Sequence, residues 1–292
     1  MELTSGMSTQ TRRANGMLLL AALLWGLGFV AQRAGAEFVS PFWFNTIRFG
    51  IGTLALLPAI LLRPRPLGKR SLKLHWGGGI LLGLLVASAV GFQQFGIQTT
   101  TAGKAGFIVG MYMVLVPLLG IALGHRPGWG SWLGVLVSAI GLYFLSVQSD
   151  FRIDPGDLLL LASAGIYAVQ VLLIAWLSPQ VDALWLAWVE FATCMVASLA
   201  CALIFEPFSW QGVQMAWFPL LYAGLGAVAI GYTLQILGQR NANPTHASII
   251  MNLESVFAAV GGWLILGEIL SSRSLLGGAL MFIGVFLARL KP

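Results

Sequence analysis

Glu254 stands in the run "NLESVFAAVGGWLILGE", residues 252–268, where almost every neighbour is apolar. An ionisable group in such a run is costly to bury and points to function. Its carboxyl could hold the amino group of a solute, carry a coupling proton, or hydrogen-bond a neighbouring helix, and the residue alone leaves all three open. Other polar side chains lie in comparable runs. Trp25, Phe29, Tyr112, Tyr167 and Tyr232 offer aromatic faces, some with a single polar handle. Gln93, Gln94, Gln170, Gln235 and Asn252 carry amides that need partners away from water. Together these residues suit the wall of a cavity that binds a small solute. Arg48 and Glu190 are charged groups expected to act in gating or structure, and Pro117 removes a helix hydrogen bond, which makes its segment a candidate hinge. Nothing in the pattern suggests catalysis or a cofactor. His75, His125 and His246 form no HExxH or paired ligand set, and no GxxxxGK[ST] loop is present. An enzyme, a metal site and direct ATP hydrolysis are therefore not expected.

Such residues must be positioned by membrane helices. Of 292 residues, 58% are hydrophobic and 9% charged, with a mean hydropathy of +0.86. Soluble proteins carry about 25% charged residues, so this chain is expected to be an all-α integral membrane protein. The net charge of +6 is spread between apolar runs rather than gathered in a nucleic-acid-binding helix. The apolar runs fall at 14–34, 42–62, 74–98, 102–123, 129–147, 155–178, 183–204, 212–237, 244–266 and 272–289, giving ten expected transmembrane helices. The first resembles a signal peptide, but it is long enough to span and many spans follow. Sorting Lys and Arg by side places eleven on the side of the N-terminus and four on the other, with Arg48 inside a span. That bias puts both termini in the cytoplasm. The second side collects Glu37, Asp150, Asp154, Asp157, Glu206 and Glu268. Cys194 and Cys201 are seven residues apart in one run, about 10 Å along a helix, too far for a disulfide.

A displacement of 142 residues brings the two halves into register. Trp43 then meets Trp185, Phe49 meets Phe191, Gln93 meets Gln235 and Ala105 meets Ala247. One further residue aligns Gly134 and Gly141 with Gly277 and Gly284. The expected organisation is a cytoplasmic tail at 1–13, a five-helix repeat at 14–148, a periplasmic linker at 149–154 and a second repeat at 155–292. Five spans per repeat force the second to enter from the opposite side. A five-plus-five inverted repeat is a transporter architecture, with its site near the midplane between the halves. Glu254 lies about ten residues into the ninth span, about 15 Å deep, and its repeat partner is Tyr112. Trp25 pairs with Tyr167 in the same way. Arg48 pairs with Glu190, but inversion separates their depths, so they are not expected to form an ion pair. Arg48 is instead expected to snorkel outward, toward Glu37.

The segments "LLAALLWGLGFVAQR", "GFIVGMYMVLVPLL" and "NLESVFAAVGGWLILGEILSSRSLLGGALMFIGVFL" resemble the EamA family of the drug/metabolite transporter superfamily. The likeness covers nearly the whole chain. It implies secondary or facilitated export of a small metabolite across the bacterial inner membrane, with the YddG-like aromatic amino-acid exporters as the nearest characterised type. The expected partners are a small-molecule substrate and the lipid bilayer, with no nucleic acid. Exporters of cationic drugs or of other metabolites in the same superfamily are the alternative, and an integral membrane enzyme is a distant one. The family's span-nine pattern reads Leu-Glu-Pro, whereas this chain has Leu253-Glu254-Ser255. Serine restores a backbone N–H, which puts a proline-made kink in doubt.

Overall fold

A computed structural model of the protein describes residues 9–62, 69–146, 155–288 and 290. The expected linker at 149–154, the first eight residues of the tail and residues 63–68 of the basic loop lie outside the described residues. All regular structure among the described residues is helical. Eight helices are long and apolar enough to cross a membrane: α1 (Thr9–Gly35), α2 (Pro41–Leu61), α3 (Lys73–Thr99), α4 (Ala102–Ala122), α6 (Pro155–Leu177), α7 (Ala183–Phe205), α8 (Trp217–Gln239) and α9 (Pro244–Leu266). The fifth and tenth apolar runs form shorter helices, α5 (Trp129–Leu145) and α10 (Ser272–Leu287). The eighth run divides differently from expectation, with a separate turn of helix at Trp210–Met215 preceding α8.

The molecule is inside-out relative to a soluble protein. Leu54, Leu203, Leu264 and Phe286 are each more than 60% exposed, while Gln93, Gln235, Asn252 and Glu190 are buried. An outer surface of large apolar side chains is what a bilayer accepts, because the helical backbone satisfies its own polar groups. The chain is a multi-pass membrane protein.

Helix packing follows the repeat. α2 packs on α7 and α5 on α10, each pairing a helix with its own counterpart. The α1–α9 contact is matched by α6–α4, α2–α8 by α7–α3, and α3–α6 by α8–α1. Exchanging the halves thus carries each principal contact onto itself or onto another. The α5–α10 pair is held by glycines. A Cβ on Gly134 would stand 2.6 Å from Ala288 Cβ, and one on Gly141 2.6 Å from the carbonyl oxygen of Gly277. Gly284 meets the carbonyl of Gly134 at a similarly short range. Small residues let two backbones meet without side chains between them.

Two pairs of features recur at equivalent places. Gly124 and Gly267 end α4 and α9 in the left-handed conformation, with φ of 84° and 70°, which glycine adopts without a Cβ clash. Both helices also break midway. α4 is interrupted at Met111 and α9 at Asn252–Leu253, each by a tight turn. The local bonds are of i→i+3 type: Val114 N–H donates to Met111 O at 3.0 Å, and Val256 N–H to Leu253 O at 3.0 Å. The break in α4 lies at Met111, whereas Pro117 sits within continuous helix Tyr112–Ala122. The break in α9 forms without a proline, and Ser255 Oγ donates instead to Gly106 O of α4 at 2.7 Å.

Candidate functional site

The two breaks put Tyr112 and Glu254 at the first positions of their second half-helices. Both side chains enter a cavity of about 40 Å³ at the junction of the halves. Its wall is built in pairs. Trp25 and Tyr167, Phe29 and Val171, Gln93 and Gln235, Val109 and Met251, and Tyr112 and Glu254 all line it, and every pair is separated by the same 142 residues. Gln32, Arg48, Gln170, Ala227 and Tyr232 complete the wall and have no lining counterpart.

Hydrogen bonds fix most of the amides. On the α1–α3 side, Gln93 Nε2 donates to Gln32 Oε1 at 2.9 Å, and Gln32 Nε2 to the carbonyl of Gly28 at 3.2 Å. On the opposite side Gln170 and Gln235 exchange bonds at 3.1 and 3.2 Å, and Gln170 also reaches Glu190 Oε1 at 3.4 Å. The amides are therefore held by their own partners and present fixed dipoles to the cavity.

Aromatic rings form the third part of the wall. Trp25 lies 5.0 Å from Tyr232, and Phe49 and Phe191 each lie 6.0 Å from it. The Tyr167 and Tyr232 hydroxyls meet at 3.2 Å. Trp25 Nε1 donates to the carbonyl of Ala227 at 3.0 Å. That carbonyl belongs to a stretch of α8, Ala223–Tyr232, wound as a π-helix, a geometry frequent at functional sites. The stretch is rich in Gly and Ala, so α1 and α2 approach it closely: a Cβ on Gly224 would stand 2.6 Å from Ile51 Cβ.

Nine of the eleven residues expected to line a cavity do so. Gln94 and Asn252 do not. Gln94 is turned onto the backbone of Gln32, with Nε2 to O at 3.3 Å. Asn252 faces α4, where its Nδ2 lies 2.9 Å from Met113 Sδ and its Oδ1 accepts from Ser255 Oγ at 3.5 Å. Arg48 is also corrected. It does not reach outward to Glu37, which pairs with Arg33 at 3.6 Å. Arg48 is 3% exposed and lines the cavity, its guanidinium 5.3 Å from the Phe49 ring and 5.7 Å from the Phe44 ring. No ion pair joins it to Glu190 among the described residues, and Glu190 is buried behind Gln170. Gln32 was missed because its repeat position is Ile174, so symmetry gives no signal there.

One end of the molecule carries polar ties between the halves. Glu206, after α7, accepts from the backbone N–H groups of Phe42 and Trp43 at the start of α2, at 3.0 and 3.1 Å. Glu268, after α9, accepts from Ala102 and Gly103 at the start of α4, at 2.8 and 3.3 Å. Lys104 pairs with Asp157 at the start of α6, at 2.8 Å. Carboxylates at helix N-termini are favoured by the unpaired N–H groups and the helix dipole.

Comparison with known proteins agrees with this architecture. The pattern of the EamA-like transporter family matches twice, over residues 12–147 and 154–290. An uncharacterised transporter of Archaeoglobus fulgidus is 29% identical over 289 residues, covering 94% of this chain and 85% of its own. One from Synechocystis is 28% identical over 96% of this chain and 91% of its own. A WAT1-related chloroplastic protein of Arabidopsis thaliana is 24% identical over 93% of this chain and 68% of its own. A solved crystal structure superposes with a TM-score of 0.76 at 22% identity, covering 96% of this chain and 99% of that one, which shows the shared fold.

Proposed function

The chain belongs to the EamA-like transporter family, and from that premise we propose that it exports small metabolites, foremost amino acids, through the cavity between its halves. The observation that carries this reading is the paired wall around Tyr112 and Glu254. A duplicated site lets the same groups be offered to either side as one half rocks on the other. All ten helices cross the membrane in this reading, α5 and α10 included. At 1.5 Å per residue the shorter pair spans about 25 Å, close to a hydrocarbon core of about 30 Å. The second repeat is then inverted and both termini are cytoplasmic, in the inner membrane. The end bearing Glu206, Glu268 and the Lys104–Asp157 pair is the outer end.

The structure's state supports alternating access. A water needs about 10–15 Å³ on this scale, so a cavity of about 40 Å³ has room for about three waters. No amino acid fits without opening. The ties at the outer end hold that side shut while the cavity is contracted. The mixed wall of aromatic rings, amides and both signs of charge suits a zwitterion with a compact apolar side chain, aromatic or otherwise neutral. Glu254 among Trp25, Tyr112 and Tyr232 also favours a second reading, a cationic drug-like solute.

Counterflow of labelled amino acids in proteoliposomes, with and without a pH gradient, tests the proposal. Uptake of a subset of amino acids, competed by the unlabelled compound, is expected. Flux of organic cations alone would replace the amino-acid reading with the second one. Dependence on the gradient that Glu254→Gln abolishes would assign the proton to Glu254, and dependence that survives it would not.

A further inference from the structure

We infer that Arg48 is the carboxylate-binding group of the cavity, so that the transported solute is one that carries a free carboxylate. The inference rests on the transport reading above and narrows its substrate class. Arg48 is a permanent cation, buried at mid-helix in α2, and it lines the cavity. Its Nε and Nη2 have no hydrogen-bond partner. These two donors lie on one edge of the guanidinium, the edge that grips both oxygens of a single carboxylate. Among the described residues no carboxylate forms an ion pair with it. Glu190, its repeat partner, is engaged by Gln170. Glu254 lies beside Tyr112. What Arg48 does touch is aromatic, the faces of Phe44 and Phe49.

An unpaired buried charge is among the most expensive features a structure can hold. Cation–π contacts offset part of that cost, but they leave the fork's donors empty. A ligand that brings its own carboxylate would fill them. The placement also orients a zwitterion. With the carboxylate on Arg48, the ammonium is free to face the Tyr112–Glu254 side, and the side chain lies against Trp25 and Tyr232. The repeat would not have produced this arrangement alone, since the position equivalent to Arg48 is an acid turned elsewhere. Ten of the fifteen lining residues fall in repeat pairs, but the charges among them are not matched across the repeat.

The test compares ligands that differ in one group. Purified protein in detergent is titrated with phenylalanine, its amide, phenethylamine and 3-phenylpropionate, and then with the remaining natural amino acids and simple aliphatic carboxylates. The wild type is expected to bind the best carboxylated ligand about tenfold or more tighter than its amide or decarboxylated counterpart, the range lost when charge-assisted bonds are removed. Arg48→Gln is expected to erase that preference, and Arg48→Lys to recover part of it, since it keeps charge without the fork. Equal binding of acid, amide and amine by the wild type would overturn the inference, whatever the variants do. So would a preference that survives in well-folded Arg48→Gln, or failure of every carboxylate to bind. Flux of an amine or other uncarboxylated solute in that last case would leave transport standing and remove only the carboxylate.

Discussion

At the scale of single residues, Glu254 and Tyr112 carry the most direct prediction. They are repeat partners, both buried, and both face the cavity. The Tyr112 hydroxyl lies against the Glu254 carboxyl, so a ligand that meets one meets both. Glu254→Gln keeps shape and hydrogen-bonding capacity while removing the ability to ionise. We expect it to leave expression and monodispersity in detergent unchanged and to lower flux by about tenfold or more, on the scale of one lost charge-assisted contact. Leu136, more than half exposed on the outer surface, is the control, and its alanine variant should transport normally. Equal effects at the two positions would mean that the cavity is misplaced. The polar wall was largely legible in the sequence, because polar residues in apolar runs are few and the repeat marks their partners. Gln94 and Asn252 show the limit of that signal. Each is next in sequence to a true lining residue or to a helix break, and one residue is about 100° of helix. Arg48 was misread because depth alone favoured snorkelling, while the face of α2 it occupies is set by packing against α7 and α8.

Helices and their contacts carry two further predictions. The α5–α10 pair meets backbone to backbone at Gly134, Gly141, Gly277 and Gly284. Gly141→Val must push α10 away, since a Cβ there already stands 2.8 Å from Met281 N. Overpacking of this kind costs about 1–3 kcal/mol. A lowered melting temperature in detergent, with the substrate preference of the remaining folded protein unchanged, is expected, and an unshifted melt would contradict the packing. Glu268 joins the halves in another way, through a carboxylate after α9 that accepts from the first N–H groups of α4. Glu268→Gln weakens a charge at the N-terminus of α4, worth about 0.3–1 kcal/mol, and should open the outer end about two- to fivefold more often. Reactivity of a cysteine at Ala259 toward a membrane-impermeant thiol reagent would report this, and unchanged reactivity would remove Glu268 from the gate. The glycine frame of α5 and α10 could be read from spacing. The breaks and the π-helical stretch could not. Pro117 drew attention away from Met111, where the turn follows Gly110, one of many glycines in these runs. The π-helix over Ala223–Tyr232 is composed of residues that also make ordinary helix, and its winding depends on α1 and α2 packing against it.

For the whole molecule, the exchange of halves maps contacts, helix ends and cavity walls onto one another. That symmetry was visible as a displacement of 142 residues before any coordinates, because duplication preserves the residues that pack and the residues that bind. Which helices would touch was not visible, since apolar faces in a membrane protein point both to lipid and to neighbours. The proposed transport cycle requires two further states, one open on the inner side and one open outside. The most direct measurement uses a single cysteine in the cavity wall, Val109→Cys, in a protein whose Cys194 and Cys201 have been replaced. A charged thiol reagent is applied from one side of oriented proteoliposomes at a time, with and without the amino acid that shows the strongest counterflow. Transport by alternating access predicts that the reagent reaches residue 109 from each side in turn, that its attachment stops flux, and that the amino acid protects the cysteine from both sides. A cysteine that stays unreactive from both sides while flux proceeds would contradict the claim that solutes pass through this cavity.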